Sequence, residues 1–315
     1  MKILFISPKY SGAGGIGPHA FRVAEKLREH GFDVELMHVP HIPIKNMKNL
    51  SYSVFGTLQA SFNKKKYDVV HAWNVPSAFI MRKITAKMKI LSVHGVYSQQ
   101  IGMLHSKLTG SIIKSKESQV LDWADILTTD SKSVQLEYKK LGKDFVYLPA
   151  PLDPKKFQGL PDIYETKNQI VYVGRDSFEK GIDILQSIES KINATVKYCT
   201  NMEWSDAMKI IKESKILIVP SRVESIPQVI KEAFFLKIPV IATDVGGIPE
   251  LIIHGKTGIL IPSENPDQMI HAINELLPNE KLKEELSNNA FDFINKNFSW
   301  DSLIQKYIDL YETYV

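Results

Sequence analysis

Two carboxylates, Glu224 and Glu232, stand eight residues apart in PSRVESIPQVIKEAFFLKIPVIATDVGGIPELI. An ionised carboxylate accepts two hydrogen bonds in a fixed geometry, which suits neighbouring sugar hydroxyls. The strand ending at Pro220 leaves Glu224 in a loop. Pro227 suits the first position of the helix that follows, with Ser225 or Ile226 near its cap. A spacing of eight is a little over two helical turns, so both carboxylates can serve one ligand from related directions. The unpaired N–H groups of the first turn point toward the strand ends and favour an anion or a hydroxyl-rich ligand. Upstream, VYVGRDSFEKG sets Gly174, Arg175 and Lys180 just after another strand. A planar cationic fork and a point charge at a strand end are what a departing diphosphate requires.

A third motif lies near the start. ILFISPKYSGAGGIGPHAF contains Gly12-Ala13-Gly14-Gly15-Ile16-Gly17, which satisfies the G-x-G-x-x-G pattern of dinucleotide sites. In those sites the first glycine follows its strand directly, and an acid closes the second strand. Here Pro8, Lys9, Tyr10 and Ser11 intervene, and Glu35 opens the run VELMHV instead of closing it. The spacing argues against NAD. It leaves a loop that brings backbone N–H groups to a phosphate or sugar at a helix N-terminus.

The elements that must position these residues form a repeating pattern. KILFIS (2–7), VELMHV (34–39), DVVHAW (68–73), KILSVH (89–94), DILTTD (125–130) and FVYLP (145–149) read as buried strands. So do QIVYVG (169–174), ATVKYC (194–199), KILIVP (215–220) and IPVIAT (238–243). Helix-like stretches such as PHAFRVAEKLREHG separate them, which predicts an α/β fold of parallel sheets with helices on both faces. LPAPLDP (148–154) interrupts the rhythm, has few core-like residues and reads as the linker between two domains. Ligands of such sheets sit beyond the carboxyl ends of the strands, where the motifs above fall.

Composition bounds the rest. The chain has 315 residues, 44% of them hydrophobic and 23% charged, enough for large packed cores. Its single cysteine, Cys199, excludes an intrachain disulfide and fits a reducing compartment. The opening apolar run is too short for a signal peptide and no run is long enough to span a bilayer, so a cytoplasmic location is expected. No His/Cys/Asp cluster has metal-ligand spacing. The net charge of +4 is unevenly spread: residues 1–150 carry 21 Lys/Arg against 11 Asp/Glu, and residues 151–315 carry 18 against 24.

Together these motifs resemble the retaining nucleotide-sugar glycosyltransferases of the GT-B fold (glycosyl transferases group 1, family four). The matching text is GRDSFEKG, the Glu224 to Glu232 stretch, HGKTGILI, the GGIG loop, His94-Gly95 and the closing FSWDSLIQKYIDLYETY, and it spans nearly the whole chain. The resemblance implies two Rossmann-like α/β/α domains facing each other across a cleft. Residues 1–153 would bind acceptor and 154–298 would bind donor, with a last helix, 299–315, crossing back onto the first domain. It implies that Arg175 and Lys180, beside Gly174, bind the donor diphosphate as leaving group, and that Glu232 accepts from the ribose. Glu224 would hold donor-sugar hydroxyls, with the backbone of Ser225, Ile226, Pro227 and Gln228 beside it. Gly14 and Gly15 would let their loop close on phosphates and acceptor, and His94 would lie near the transferred sugar. The implied reaction is metal-independent, needs no cofactor besides the nucleotide sugar, and retains anomeric configuration by same-face attack. The chain departs from the family where TNMEW follows ATVKYC and where Ala150-Pro151-Leu152 precedes Asp153. The alternatives are a GT-B sugar-nucleotide epimerase and a non-catalytic nucleotide-sugar-binding relative.

The acceptor is expected to be a glycan, a lipid-linked sugar or a small molecule. Between Lys45 and Lys116 there are 12 basic residues and one acid, Asp68. Phe55, Leu58 and Phe62 recur at helical spacing just before Lys64-Lys65-Lys66. Such an element suits an anionic membrane surface at the inner face, or else a helix that turns its apolar side inward and leaves a solvated lysine end. Aromatic residues show no nucleic-acid-binding pattern, so nucleic acid is not an expected partner.

Overall fold

The computed structural model describes residues 1–10, 15–40, 42, 44, 47–95, 117–162 and 168–313. The chain divides into two compact units, Met1–Ala150 with Ile304–Val315, and Pro151–Leu303. The division at Ala150 falls three residues before the expected boundary at 153.

The first unit holds a six-stranded sheet in the order β2-β1-β3-β4-β5-β6. These strands are β1 (Lys2–Ile6), β2 (Asp33–Met37), β3 (Lys66–Ala72), β4 (Thr85–Ser92), β5 (Ile126–Thr129) and β6 (Val146–Tyr147). The second holds a five-stranded sheet ordered β11-β10-β9-β7-β8. It comprises β7 (Gln169–Val173), β8 (Thr195–Cys199), β9 (Ile216–Val219), β10 (Val240–Thr243) and β11 (Ile259–Ile261). All pairings among these strands are parallel. The three-residue β11, in HGKTGILI, is a strand that the apolar rhythm did not announce.

The central strands of the second unit, β7, β9 and β10, are almost wholly apolar because both faces are covered, whereas the edge strand β8 carries Thr195 and Lys197. Ile170, Ile216, Ile218 and Ile241 pack on one side, against Leu185, Met269 and Ile273. Val171, Leu217, Val219 and Ala242 pack on the other, against Met208, Ile230 and Phe234. Burying such side chains on both faces contributes roughly 25 cal/mol for each Å² of apolar surface, and a continuous apolar run becomes a central strand.

The division between the two units falls within LPAPLDP, and the segment is largely buried. Leu148, Ala150 and Leu152 are all buried. Leu148 N–H donates to Thr129 O at 2.8 Å, and Leu152 N–H donates to Phe298 O at 2.7 Å. Prolines remove backbone donors, but the residues between them alternate inward.

The last helix runs from Trp300 to Glu312 and contributes from Ile304 onward to the first unit. There a line of buried polar groups meets it. Tyr311 OH lies 2.7 Å from His71 Nδ1, His71 Nε2 lies 2.7 Å from Ser92 Oγ, and Ser92 Oγ lies 2.6 Å from Thr128 Oγ1. His71 is fully buried, stacked 4.3 Å from the Trp73 ring, and burial pushes its pKa well below the ordinary value of 6.5. The folded state therefore keeps a neutral imidazole, whereas the unfolded chain takes up a proton below about pH 6.5. Stability should fall as pH drops through that point, by up to about 1.4 kcal/mol per pH unit for this one group. Thermal melts between pH 7 and pH 5 check this: His71→Gln should show a shallower fall than the wild type, and an equal slope would remove His71 as the cause.

Candidate active site

The loops at the carboxyl edge of the second sheet carry most of the motif residues. Gly174 follows β7, and its N–H donates to Cys199 O at 3.2 Å. A Cβ at Gly174 would stand 2.8 Å from Tyr172 OH, which donates to Arg175 O at 2.6 Å. The loop after β7 and the loop after β9 are joined by backbone: Arg222 N–H and Val223 N–H both donate to Glu179 O, at 2.9 and 3.2 Å. Two glycines permit still closer approaches. Gly181 has φ +66 and a Cβ there would lie 2.0 Å from Pro220 O. Gly246 has φ +55 and a Cβ there would lie 1.8 Å from Glu224 O.

Within this frame Lys180 Nζ is ion-paired with Glu224 Oε2, and both side chains are largely buried. Glu224 Oε1 also accepts from Ser225 N–H at 3.2 Å. Ser225 Oγ is shielded and makes no hydrogen bond among the described residues, so a buried hydroxyl stands unsatisfied beside the carboxylate. Arg175 is not drawn into this pair: its guanidinium is 72% exposed and lies 3.0 Å from Glu179.

Glu232 is placed otherwise than the spacing suggests. The helix over Gln228–Phe235 begins one residue later than expected, with Pro227 as its extended N-cap at ψ 114. Glu224 lies in the loop before the helix, as expected, so the two-turn relation between the carboxylates does not hold. Proline also has no N–H, so only Ser225, Ile226 and Gln228 offer backbone donors there. Glu232 is buried, and its Oε1 accepts from Trp204 Nε1 at 2.8 Å. Burial raises its carboxyl pKa, with the Trp204 bond, Lys156 and Lys231 opposing. Trp204, which packs edge-on to Phe157 at 5.2 Å, is a partner of Glu232 that sequence reasoning missed. Its signal lay in TNMEW, noted only as a departure. Arg222 was missed as well. It makes two bonds to Asp183, at 2.7 and 2.8 Å, one to Glu264 at 2.7 Å and one to Phe178 O at 2.8 Å. Its guanidinium also lies 3.9 Å from the Phe178 ring centroid.

In the first unit, His94 lies just beyond β4, with Nδ1 3.1 Å from Asp130 Oδ2. An ionised carboxylate only accepts, so Nδ1 carries a proton, and in the neutral imidazole Nε2 is an acceptor. Nε2 is shielded and has no partner among the described residues. Asp130 was not singled out from sequence. Gly15 caps the helix Ile16–Glu29 at φ 93 and ψ −169, while Gly14 lies outside the described residues. Glu35 sits mid-strand and is engaged by Lys2, Lys65 and Tyr67 at 3.3, 3.1 and 2.8 Å, which leaves no acid at the end of β2 for a dinucleotide ribose. Cys199 is buried, with its thiol pushed up to about 11 by burial.

Residues 184–293 match the glycosyl transferases group 1 family. The matched segment contains Glu224, Glu232, Trp204 and Arg222, while Gly174, Arg175 and Lys180 lie just before it. An uncharacterized glycosyltransferase of Methanocaldococcus jannaschii is 22% identical over 99% of this chain and 98% of its own length. Spore coat protein SA of Bacillus subtilis is 24% identical over 80% of each chain. Among solved structures, sucrose-phosphate synthase of Thermosynechococcus elongatus superposes with a TM-score of 0.81 at 16% identity, covering 99% of this chain and 98% of that one. WaaG, a glycosyltransferase involved in lipopolysaccharide biosynthesis, gives 0.70 at 16% identity, covering 98% of this chain and 99% of its own. The fold is that of the GT-B glycosyltransferases.

The close approach at Gly246 gives a direct test of how this edge is built. Gly246→Ala combines left-handed strain with a clash against Glu224 backbone and should cost about 2–4 kcal/mol in urea unfolding. Gly255 has φ +71 but nothing within 4 Å of a Cβ, so Gly255→Ala should cost only about 1 kcal/mol. Equal costs would mean that the loop after β10 does not depend on this contact.

Proposed function

We propose that this glycosyltransferase moves a sugar from a nucleoside-diphosphate sugar to a glycan, lipid-linked or small-molecule acceptor, with retention of anomeric configuration and without a metal ion. The observation that carries the donor assignment is the Lys180–Glu224 pair beside the unsatisfied Ser225 hydroxyl, at the carboxyl edge of a parallel sheet. Cleaving the bond from anomeric carbon to phosphate oxygen builds positive charge on the sugar and negative charge on the diphosphate. Lys180 supplies a fixed cation for the second of these, and Arg175, on an exposed side chain, can swing from Glu179 to add another. The backbone N–H of Ile226 adds a donor near Glu224, while that of Ser225 is already bonded to the Glu224 carboxylate. In this reading Glu224 keeps lone pairs for sugar hydroxyls, and His94 Nε2 accepts from a hydroxyl of donor or acceptor.

The acceptor oxygen attacks on the face the diphosphate leaves, and its proton passes to the departing phosphate oxygen. A double displacement would need a carboxylate close to the anomeric carbon with a partner about 5 Å away. Glu224, held by Lys180 and Ser225 N–H, is better placed as a binding group than as a nucleophile. Glu232, under Trp204, is assigned to the ribose. The Anabaena protein HepE has been solved with UDP and with UDP-glucose, which makes uridine diphosphate the first nucleotide to try.

Thermal melts with UDP, GDP, ADP, dTDP and NAD test this reading. One nucleoside diphosphate at about a hundredfold its Kd should add about 2.7 kcal/mol, a shift of several degrees. Glu232→Ala should lose that response. Glu232→Gln, which removes a buried charge and keeps an acceptor for Trp204, should leave the unliganded protein no less stable while weakening the nucleotide. Stabilisation by NAD alone would contradict the assignment.

A further inference from the structure

The helix over Lys48–Ser61 is apolar on two opposite sides, and only one of them is covered. Tyr52, Gly56 and Ala60 face the helix Val75–Met81 and are buried. Tyr52 OH lies 2.8 Å from Ser77 Oγ, and Thr57 Oγ1 donates to Phe79 O at 3.3 Å. At Gly56 a Cβ would stand 2.2 Å from Ile80 Cδ1, so the two helices meet without room for rotation. This inward face fixes the other. Leu50, Val54, Leu58 and Phe62 recur at four-residue spacing along the outer side and are 67%, 47%, 55% and 81% exposed, with Phe55 beside them. The apolar repeat at Phe55, Leu58 and Phe62 therefore does not pack inward.

A helix face in water ordinarily carries charged and polar residues, and a contiguous exposed apolar stripe marks a surface that something covers. The stripe runs into Lys64, Lys65 and Lys66, all exposed, of which Lys65 is paired with Glu35. Asp68 is the one acid between Lys45 and Lys116. Lys45 and residues 96–116 of that window lie outside the described residues. Among the described residues no helix is long and apolar enough to cross a membrane. An apolar stripe ending in lysines is the pattern of a helix lying in the plane of an anionic bilayer, with its side chains among the acyl chains and its lysines at the headgroups. A second copy is the poorer occupant, because the helix itself has no acidic residue to meet the lysines of a partner.

We infer that the outer face of the helix Lys48–Ser61, with Phe62 and the lysines that follow, docks the protein on an anionic lipid surface. The docking needs no donor or acceptor, so its failure would leave the donor site standing.

Flotation of the full chain with vesicles of phosphatidylcholine alone, and of phosphatidylcholine with phosphatidylglycerol, tests the inference. The wild type should float with the anionic vesicles and remain behind with the neutral ones. Leu58→Glu/Phe62→Glu should reduce the bound fraction at least about tenfold, with an unchanged thermal melt because both side chains are exposed. Lys64→Gln/Lys66→Gln should weaken binding and flatten its salt dependence. A wild type that fails to float with anionic vesicles, or a Leu58/Phe62 variant that floats as well as wild type, would overturn the inference. So would a dimer in light scattering that the Leu58/Phe62 variant abolishes.

Discussion

Where a parallel sheet ends, its ladder of hydrogen bonds ends too, and the loops that leave the carboxyl edge must be held by other means. In the second unit backbone bonds join the loops after β7 and β9, and one guanidinium adds the widest side-chain tie. Arg222 forks onto Asp183, reaches Glu264 and the carbonyl of Phe178, and lies flat against the Phe178 ring. Its own N–H is bonded to Glu179 O. The loops after β7, β9 and β11 are thereby tied to one side chain. Isolated surface ion pairs contribute little, but a bidentate pair on a largely covered Arg222 side chain has a more fixed geometry. Glu264 adopts φ +55, a conformation that costs an ordinary residue about 1–3 kcal/mol, while its carboxylate meets Arg222.

With the loops fixed, the charged groups on them need not search for position. Lys180 and Glu224 meet across two loops, and Glu179 sets its backbone against one loop and its side chain against Arg175. Such preorganisation lowers the reorganisation needed when charge develops on a leaving group. Glu232 follows a different principle. It is held by burial and by an indole N–H, so it presents a carboxylate of raised pKa in a site poor in water.

The sequence made the sheets legible because buried parallel strands must be apolar on both faces, and runs such as KILIVP and IPVIAT leave no other reading. It also displayed the charged motif residues, since Arg175, Lys180, Glu224 and Glu232 occupy loops and helix starts next to those runs. Three things were hidden. Arg222 and Asp130 look like ordinary charged residues, because their roles come from partners 39 and 36 positions away. Trp204 is distant from Glu232 in the chain and meets it only once the helices pack. The direction of Phe55, Leu58 and Phe62 was undecided because that helix has apolar residues on both sides, and only the Gly56 contact chooses which faces inward.

The central claim is that Lys180, fixed by Glu224 at the end of two strands, holds the diphosphate of the donor. Calorimetric titration of the preferred nucleoside diphosphate and of its monophosphate, into wild type and Lys180→Met, tests it most directly. The account expects the variant to lose about ten- to a hundredfold in affinity for the diphosphate and to bind the monophosphate much as wild type does, since a charge-assisted bond contributes about 1.5–3 kcal/mol. Equal losses for both nucleotides would place Lys180 elsewhere on the ligand. No loss for either would contradict the site.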